Sequence, residues 1–421
     1  MTPRWFATSV FFTVLTLLVA SQVFWFRRAR SFVRSRPKAW QRWLVGVPVY
    51  AWFYGLAALV VLVPLRWLLL QGAPVLLSFF MVLRQPAVMV PVGLWISASY
   101  LSFLLIQVVR GGGWLFARLR PARAAEAGGH PDGVAVGRRY FLQTATYAAG
   151  AVPFVMVGYG FLLGRHNYRV EEVTVALPDL PEPLDGLRLL QLTDVHASAY
   201  MPVKEIRRVV GLASELDPDL VFHTGDFITS RGDPLAEAVE ELGRLQGRYG
   251  SFGCLGNHED YAGTQEATTE LFARQGVRIL RGQNAEVEIR GAKLNLIGVD
   301  YQRHTRGPGP ELSKKDWLRG VERLVRPEAL NILLCHNPNP FVRATELGIE
   351  LMLAGHTHGG QVQVEILDSR WSPARFITPF ISGLYERNGK RLYVSRGIGT
   401  IAAPIRLGAP PEITLLTLRQ T

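Results

Sequence analysis

The first 165 residues of this chain almost lack acid. They hold 17 Lys+Arg against 2 Asp+Glu, leaving 29 against 32 in residues 166–421. The formal net charge of +12 is therefore no basic footprint of a folded nucleic-acid reader. It belongs wholly to the first part, and no nucleic-acid partner is expected. Cysteine is scarce as well. Cys254 and Cys335 are the only two; each ends an apolar run and reads as a buried small hydrophobe, a disulfide between them being left open. No internal repeat and no long low-complexity tract occurs, which argues against a repeat architecture, although Pro121–Gly137 has the Ala/Gly/Pro content of a flexible loop.

Charge is missing in a second way. Trp5–Phe26, Leu44–Leu65, Ala87–Val109 and Tyr140–Leu163 contain none, and each is about the ~20 residues a bilayer span needs. Residues 1–165 read as a membrane region with about four transmembrane helices, and residues 166–421 as a separate domain. The loops sort by charge. Residues 27–42 carry seven Lys/Arg and no acid, and residues 110–139 carry six Arg, so both are expected in the cytoplasm. That parity requires Trp67–Leu83, short and broken by Gly72 and Pro74, not to cross. The N-terminus and the second domain then lie outside the cytoplasm, on a bacterial inner or plasma membrane. Arg138-Arg139-Tyr140-Phe141-Leu142 resembles the core of a twin-arginine export signal or serves as positive-inside anchors; both readings put the following domain on the same side.

From Glu171 the pattern becomes short β-rich runs alternating with amphipathic segments. Leu187–Leu192, Leu220–His223, Ser251–Leu255, Leu294–Val299, Asn331–Cys335 and Leu351–Ala354 are predicted strands, and Val203–Leu216, Pro234–Leu245, Gln265–Gln275 and Pro340–Leu347 predicted helices. This alternation predicts a layered α/β domain. The polar residues fall just past the strand ends: Asp194-Val195-His196, Gly225-Asp226, Gly256-Asn257-His258-Glu259, His336 and Gly355-His356-Thr357-His358. Open α/β sheets bind ligands there. Any one of these could be a turn or a helix cap, and His-x-His alone reads equally well as a solvated loop. Five such clusters offering oxygen and imidazole suit a two-metal hydrolase, which needs hard or borderline ligands for each ion and a carboxylate between them. Neutral imidazole favours Mn, Fe or Zn over Mg or Ca.

As a set, these five blocks resemble the calcineurin-like metallophosphoesterase family, over about residues 185–418. Gly355–Gln361 and Tyr393–Thr400 look like its membrane-associated bacterial branch. The resemblance implies two packed mixed β-sheets flanked by helices. It implies Asp194, His196 and His358 on one metal, Asn257, His336 and His356 on the other, and Asp226 bridging them. Water made acidic by two cations would attack phosphorus in line, with His258 steadying the phosphoryl charge or protonating the leaving oxygen. Purple acid phosphatases have a metal-binding Tyr where this chain has Thr229, so a ferric-tyrosinate site is not expected. Arg396 is a candidate phosphate contact or a structural ion pair, His223 a core residue or a support for the site, and His304 a substrate contact or a solvated loop residue.

The expected function is hydrolysis of a phosphodiester, phosphomonoester or pyrophosphate bond, on a substrate that is lipid-linked or part of the cell envelope. The alternatives are a cytoplasm-facing pyrophosphatase of a nucleotide-linked acylated glucosamine, or a non-enzymatic metal-binding sensor.

Overall fold

The computed structural model describes residues 4–69, 86–119, 131–302, 317–363, 372–376, 378–401 and 403–421. Most of Trp67–Leu83, the first part of Pro121–Gly137 and His304 lie outside the described residues. The chain divides into two compact units, Met1–Tyr159 and Gly160–Thr421.

The first unit is helical: α1 (Arg4–Arg34), α2 (Ala39–Leu69), α3 (Pro86–Leu119) and α4 (Pro131–Leu162, which runs past the boundary). Each holds one of the four charge-free runs, the last but for Leu163. By length and composition, Val90–Phe116 and Gln143–His166 are apolar enough to cross a membrane. Polarity is inverted relative to a soluble bundle. Ser21, Ser99 and Ser102 are fully buried, and Ser21 Oγ donates to Ser99 O (3.2 Å), Trp25 Nε1 to Ser99 O (2.9 Å) and Trp95 Nε1 to Gln22 Oε1 (2.9 Å). Meanwhile, among the described residues, all exposed large apolar side chains but Val170, Tyr261 and Leu384 fall between Phe12 and Leu163.

The second unit packs two six-stranded sheets face to face. One runs β1 (Arg169–Leu177), β12 (Glu412–Gln420), β2 (Arg188–Leu192), β3 (Leu220–Thr224), β4 (Ser251–Cys254), β5 (Val277–Ile279); the other runs β10 (Gly383–Arg387), β11 (Lys390–Val394), β9 (Leu351–Ala354), β8 (Leu330–Leu334), β7 (Ala292–Gly298), β6 (Gln283–Ile289). The central strands β2 to β5 are parallel to one another, as are β7, β8, β9 and β11. Period-2 alternation sends Leu189, Phe222 and Cys254 inward against Leu296, Ile332 and Leu353 of the facing sheet. Leu190 and Val221 point the other way, onto α5 (Val203–Ser214), α6 (Leu235–Leu242) and α8 (Gln265–Arg274), where Ile206, Val239 and Phe272 cover them. Phe341 and Ala344 of α9 (Phe341–Glu346) do the same for Leu333 and Met352. The two mixed sheets flanked by helices are the architecture that the family resemblance implied, and a layered α/β domain is what the strand and helix pattern predicted.

All the predicted strands and helices of this unit are present within a few residues. The turn after β4 adds a helix that the sequence reading did not predict, α7 (Asn257–Ala262). The carboxyl ends of β2, β3 and β4 in one sheet and of β8 and β9 in the other meet at one place. Gln191 Nε2 ties them below it, donating to Thr224 Oγ1 (2.8 Å) and across the sheets to Ala354 O (3.0 Å).

Candidate metal centre

Asp194 and His196 leave β2, Asp226 leaves β3, Asn257 and His258 open α7, His336 follows β8, and His356 and His358 follow β9. Asp194, His196, Asp226, Asn257, His336 and His358 are buried, and His356 and His258 half-buried. Asp194, His196, Asp226, His356 and His358 all take positive φ, between 49° and 73°. L-residues avoid that region, so the surroundings must impose it. Neighbouring glycines supply the room: a Cβ on Gly355 would strike Asp194 Oδ2, and one on Gly256 would strike Asp226 Oδ1.

Three groups of donor atoms each lie within 4.8 Å of one another: Asp194, His196 and His358; His196, Asp226 and His258; Asp226, His336 and His356. His358 Nε2 is 3.1 Å from Asp194 Oδ1 and 3.0 Å from His196 Nε2. Asp226 Oδ2 faces both halves, 3.0 Å from His336 Nε2 and 3.5 Å from His196 Nε2, while its Oδ1 accepts the His258 amide (2.9 Å). Asn257 Oδ1 is buried without a hydrogen-bond donor. An orphaned oxygen of this kind costs about 1–3 kcal/mol, which a cation would repay; it fits the second half of a dinuclear site. Carbonyls set the rings. His336 Nδ1 donates to Thr224 O (2.6 Å) and His258 Nδ1 to Thr229 O (2.6 Å), an arrangement that aims Nε2 of each ring into the site.

Electrostatics agree with the donor set. Burial holds His196 down at about 3 and His356 at about 4, and keeps His358 well below the ordinary imidazole range, so their lone pairs are available at neutral pH. Burial also acts against a charged His336, but Asp226 and Asp194 outweigh it and raise the ring to about 10. Burial pushes Asp194 up to about 6; it acts the same way on Asp226, whose neighbours His336 and His196 nevertheless hold it well below the carboxylate range.

The other candidates fall outside the cluster. Arg396 forms the ion pair rather than facing a phosphate: Nε donates to Glu412 Oε2 (2.6 Å) and Nη2 to Glu171 Oε2 (2.5 Å). Both donations go to carboxylates brought from β1 and β12. His223 is fully buried with neither ring nitrogen hydrogen-bonded, packed on Phe227 and Phe272; it is core. Thr229 Oγ1 lies 3.4 Å from His196 Nδ1.

One supporting residue had no role in the sequence reading. Glu259 collects the amides of Gly256 (2.9 Å), Asp226 (3.0 Å) and Phe227 (2.8 Å), holding the Asp226 turn against the start of α7. Its position three residues after Gly256 is the capping-box spacing that would have shown it.

Comparison with known proteins defines the class. The calcineurin-like phosphoesterase model matches residues 187–360. A zebrafish (Danio rerio) transmembrane protein with metallophosphoesterase domain is 31% identical over 372 residues, covering 85% of this chain and 80% of that one. The uncharacterized metallophosphoesterase YkuE of Bacillus subtilis is 29% identical, covering 68% and 98%, and the phosphodiesterase YaeI of Escherichia coli 26% identical, covering 67% and 99%. The chain belongs to the calcineurin-like metallophosphoesterase family. It is a metal-dependent phosphoric ester hydrolase, and the centre such enzymes use is dinuclear.

Proposed function

We propose that this protein is a membrane-anchored phosphoesterase that hydrolyses a phosphodiester, phosphomonoester or pyrophosphate bond of a lipid-linked or cell-envelope substrate. The observation that carries the reading is the convergence of Asp194, His196, Asp226, Asn257, His336, His356 and His358 at the meeting point of the two sheets. Asp194, His196 and His358 would hold one cation and Asn257, His336 and His356 the other, with Asp226 shared. The mixed nitrogen and oxygen donors favour Mn, Fe or Zn. Two such cations would supply the acidic water and the positive charge that phosphoryl transfer needs.

The protein's own part is orientation and proton transfer. His258 Nδ1 donates to Thr229 O (2.6 Å), so a protonated ring carries its second proton on Nε2. That proton is the one delivered to the leaving oxygen. Asp226 Oδ1 is held by the His258 amide, so the shared carboxylate and the proton donor are set by one turn.

Anchoring by about four helices in residues 1–165 is supported by the inverted polarity of that unit, with buried serines and an exposed apolar face. The basic stretches 27–42 and 110–139, at the helix ends around the α1–α2 and α3–α4 connections, favour a catalytic domain, residues 166–421, outside the cytoplasm. A catalytic domain tethered at a membrane surface meets lipid-linked esters first.

The test is turnover of a chromogenic phosphodiester and the matching monoester by the full-length protein in detergent. It is run with Mn²⁺ and with chelator, beside Asp226→Asn. Mn²⁺-dependent hydrolysis, abolished in the variant, is expected. Metal bound without turnover on either ester or on a lipid phosphate would sink the reading.

A further inference from the structure

Arg406 is the largest fully buried side chain of the described residues, 1% exposed. A buried guanidinium ordinarily requires a carboxylate. Among the described residues Arg406 has no ion-pair partner; its donors go to backbone oxygens instead. Nη1 donates to His358 O (3.1 Å) and Ala409 O (3.3 Å); Nη2 donates to Arg396 O (2.9 Å) and Gly397 O (3.1 Å); Nε donates to Gly399 O (3.1 Å). One side chain thus ties the turn after β9, the loop after β11 and the approach to β12.

Two of those segments carry or press on donors of the metal centre. Nη2 faces His358 Nδ1 at 3.4 Å. The loop it gathers lies on Asp194: Gly399 N donates to Asp194 O (2.8 Å), Ile398 N to Thr193 O (3.1 Å), and a Cβ on Gly397 would sit 2.5 Å from Asp194 Cβ. Of the other half, His356 shares the turn after β9 and its amide donates to Asp194 Oδ1 (3.0 Å), whereas the remaining two residues are held elsewhere. His336 is set by Thr224 O, and Asn257 opens the helix capped by Glu259.

We propose that Arg406 is a positioning residue for one half of the dinuclear centre, fixing Asp194 and His358 together, so that its loss empties the Asp194/His196/His358 position and leaves the Asn257/His336/His356 position filled. The inference rests on the ligand assignment proposed above.

The test uses the full-length protein in detergent, loaded with Mn²⁺ and freed of excess. Metal per chain and the electron paramagnetic resonance spectrum are read for wild type, Arg406→Met and Arg406→Lys, with circular dichroism and a melting curve as the folding control. Wild type is expected to bind about two ions with an exchange-coupled spectrum. Arg406→Met is expected to bind about one, with the spectrum of an isolated ion, and Arg406→Lys to lie between. Should Arg406→Met fail to fold, Arg406→Lys decides. Two ions retained with a coupled spectrum, both ions lost from a folded variant, or collapse of both variants would overturn the inference. Wild type that binds no metal would instead sink the functional reading, and this inference with it.

Discussion

Gly256→Ala separates geometry from stability at the centre of this site. Gly256 has φ −99° and ψ −171°, a conformation alanine adopts freely, so the backbone itself resists nothing. The added methyl, however, would lie 2.5 Å from Asp226 N and 2.8 Å from Asp226 Cγ, against Oδ1 itself. Relief to ordinary contact requires a movement of about 0.9 Å at the amide nitrogen and more than about 1 Å at Oδ1, taken by the Asp226 turn because Glu259 and the His258 amide hold that turn to the helix start. Overpacking of this kind costs about 1–3 kcal/mol. A displacement near 1 Å at the reacting centre costs roughly 100-fold in rate. Gly263→Ala, seven residues along at the end of α7, is the control. Its φ is +65° with nothing within 4 Å of an added Cβ, so it pays about 1–2 kcal/mol of left-handed strain without touching a donor. The expected result is a modestly lowered melting temperature in both variants and a fall of about 100-fold in kcat/KM in Gly256→Ala alone. Gly256→Ala with activity within about threefold of wild type would refute the claim that this contact positions Asp226.

Three further outcomes follow from the same geometry. His258→Ala should cost about 100- to 10,000-fold on an alkyl leaving group and far less on a nitrophenyl one, with metal content unchanged; equal losses on both would exclude proton donation. Arg396→Gln removes the charge partner of Glu412, 1% exposed and otherwise held only by the Tyr393 and Thr414 hydroxyls and the Arg396 amide, and should destabilise by about 3 kcal/mol in denaturant titration while KM stays within about twofold; a large rise in KM would restore Arg396 as a phosphate contact. His336, raised to about 10 by Asp226 and Asp194 against the effect of burial, is protonated at neutral pH in the metal-free protein. If His336 binds metal as proposed, metal expels that proton, so apparent Mn²⁺ affinity should weaken about tenfold per pH unit as pH falls, with about one proton released per chain in lightly buffered titration; an affinity flat with pH would contradict it.

The clustering of these side chains was legible because each follows a short apolar run, where register places it at the sheet's carboxyl edge. The contrast with Arg396 is instructive. It too follows an apolar strand and precedes a glycine, yet its meaning depends on Glu171 and Glu412, carried by β1 and β12. Those strands pair with each other, Arg169 opposite Glu412, across most of the domain's length, and β1 carries Glu171 and Glu172 without clean alternation. Local pattern cannot bring such strands together. Arg406 was invisible for the same reason: its acceptors are carbonyl groups, which every residue has, and only the folded chain gathers them. α7 was hidden differently, since six residues opening on a glycine-asparagine turn carry no helical periodicity.

The strained backbone of the site makes a last prediction. Ten non-glycine residues among those described have positive φ, and five of them are Asp194, His196, Asp226, His356 and His358. Asn388 shows the ordinary case, an Asn-Gly hairpin turn in which asparagine tolerates the region. Aspartate and histidine enter it more readily than most other residues, so at no more than about 1–2 kcal/mol each the five turns together store up to several kcal/mol, a sizeable share of a domain's net stability. In addition, Asp194 and Asp226 raise each other's energy as like charges, and Asn257 Oδ1 is left without a partner. The last two costs fall only in the state without cations, which leaves the strain unrelieved as well. Cations at about 100 times their dissociation constants would return about 2.7 kcal/mol per site. The wild-type protein should therefore melt several degrees lower in chelator than in Mn²⁺, and His336→Ala, lacking one donor of the second position, should recover only part of that rise. Melting curves that coincide with and without metal would mean that the strained turns are held by the fold alone and that metal plays no part in keeping them.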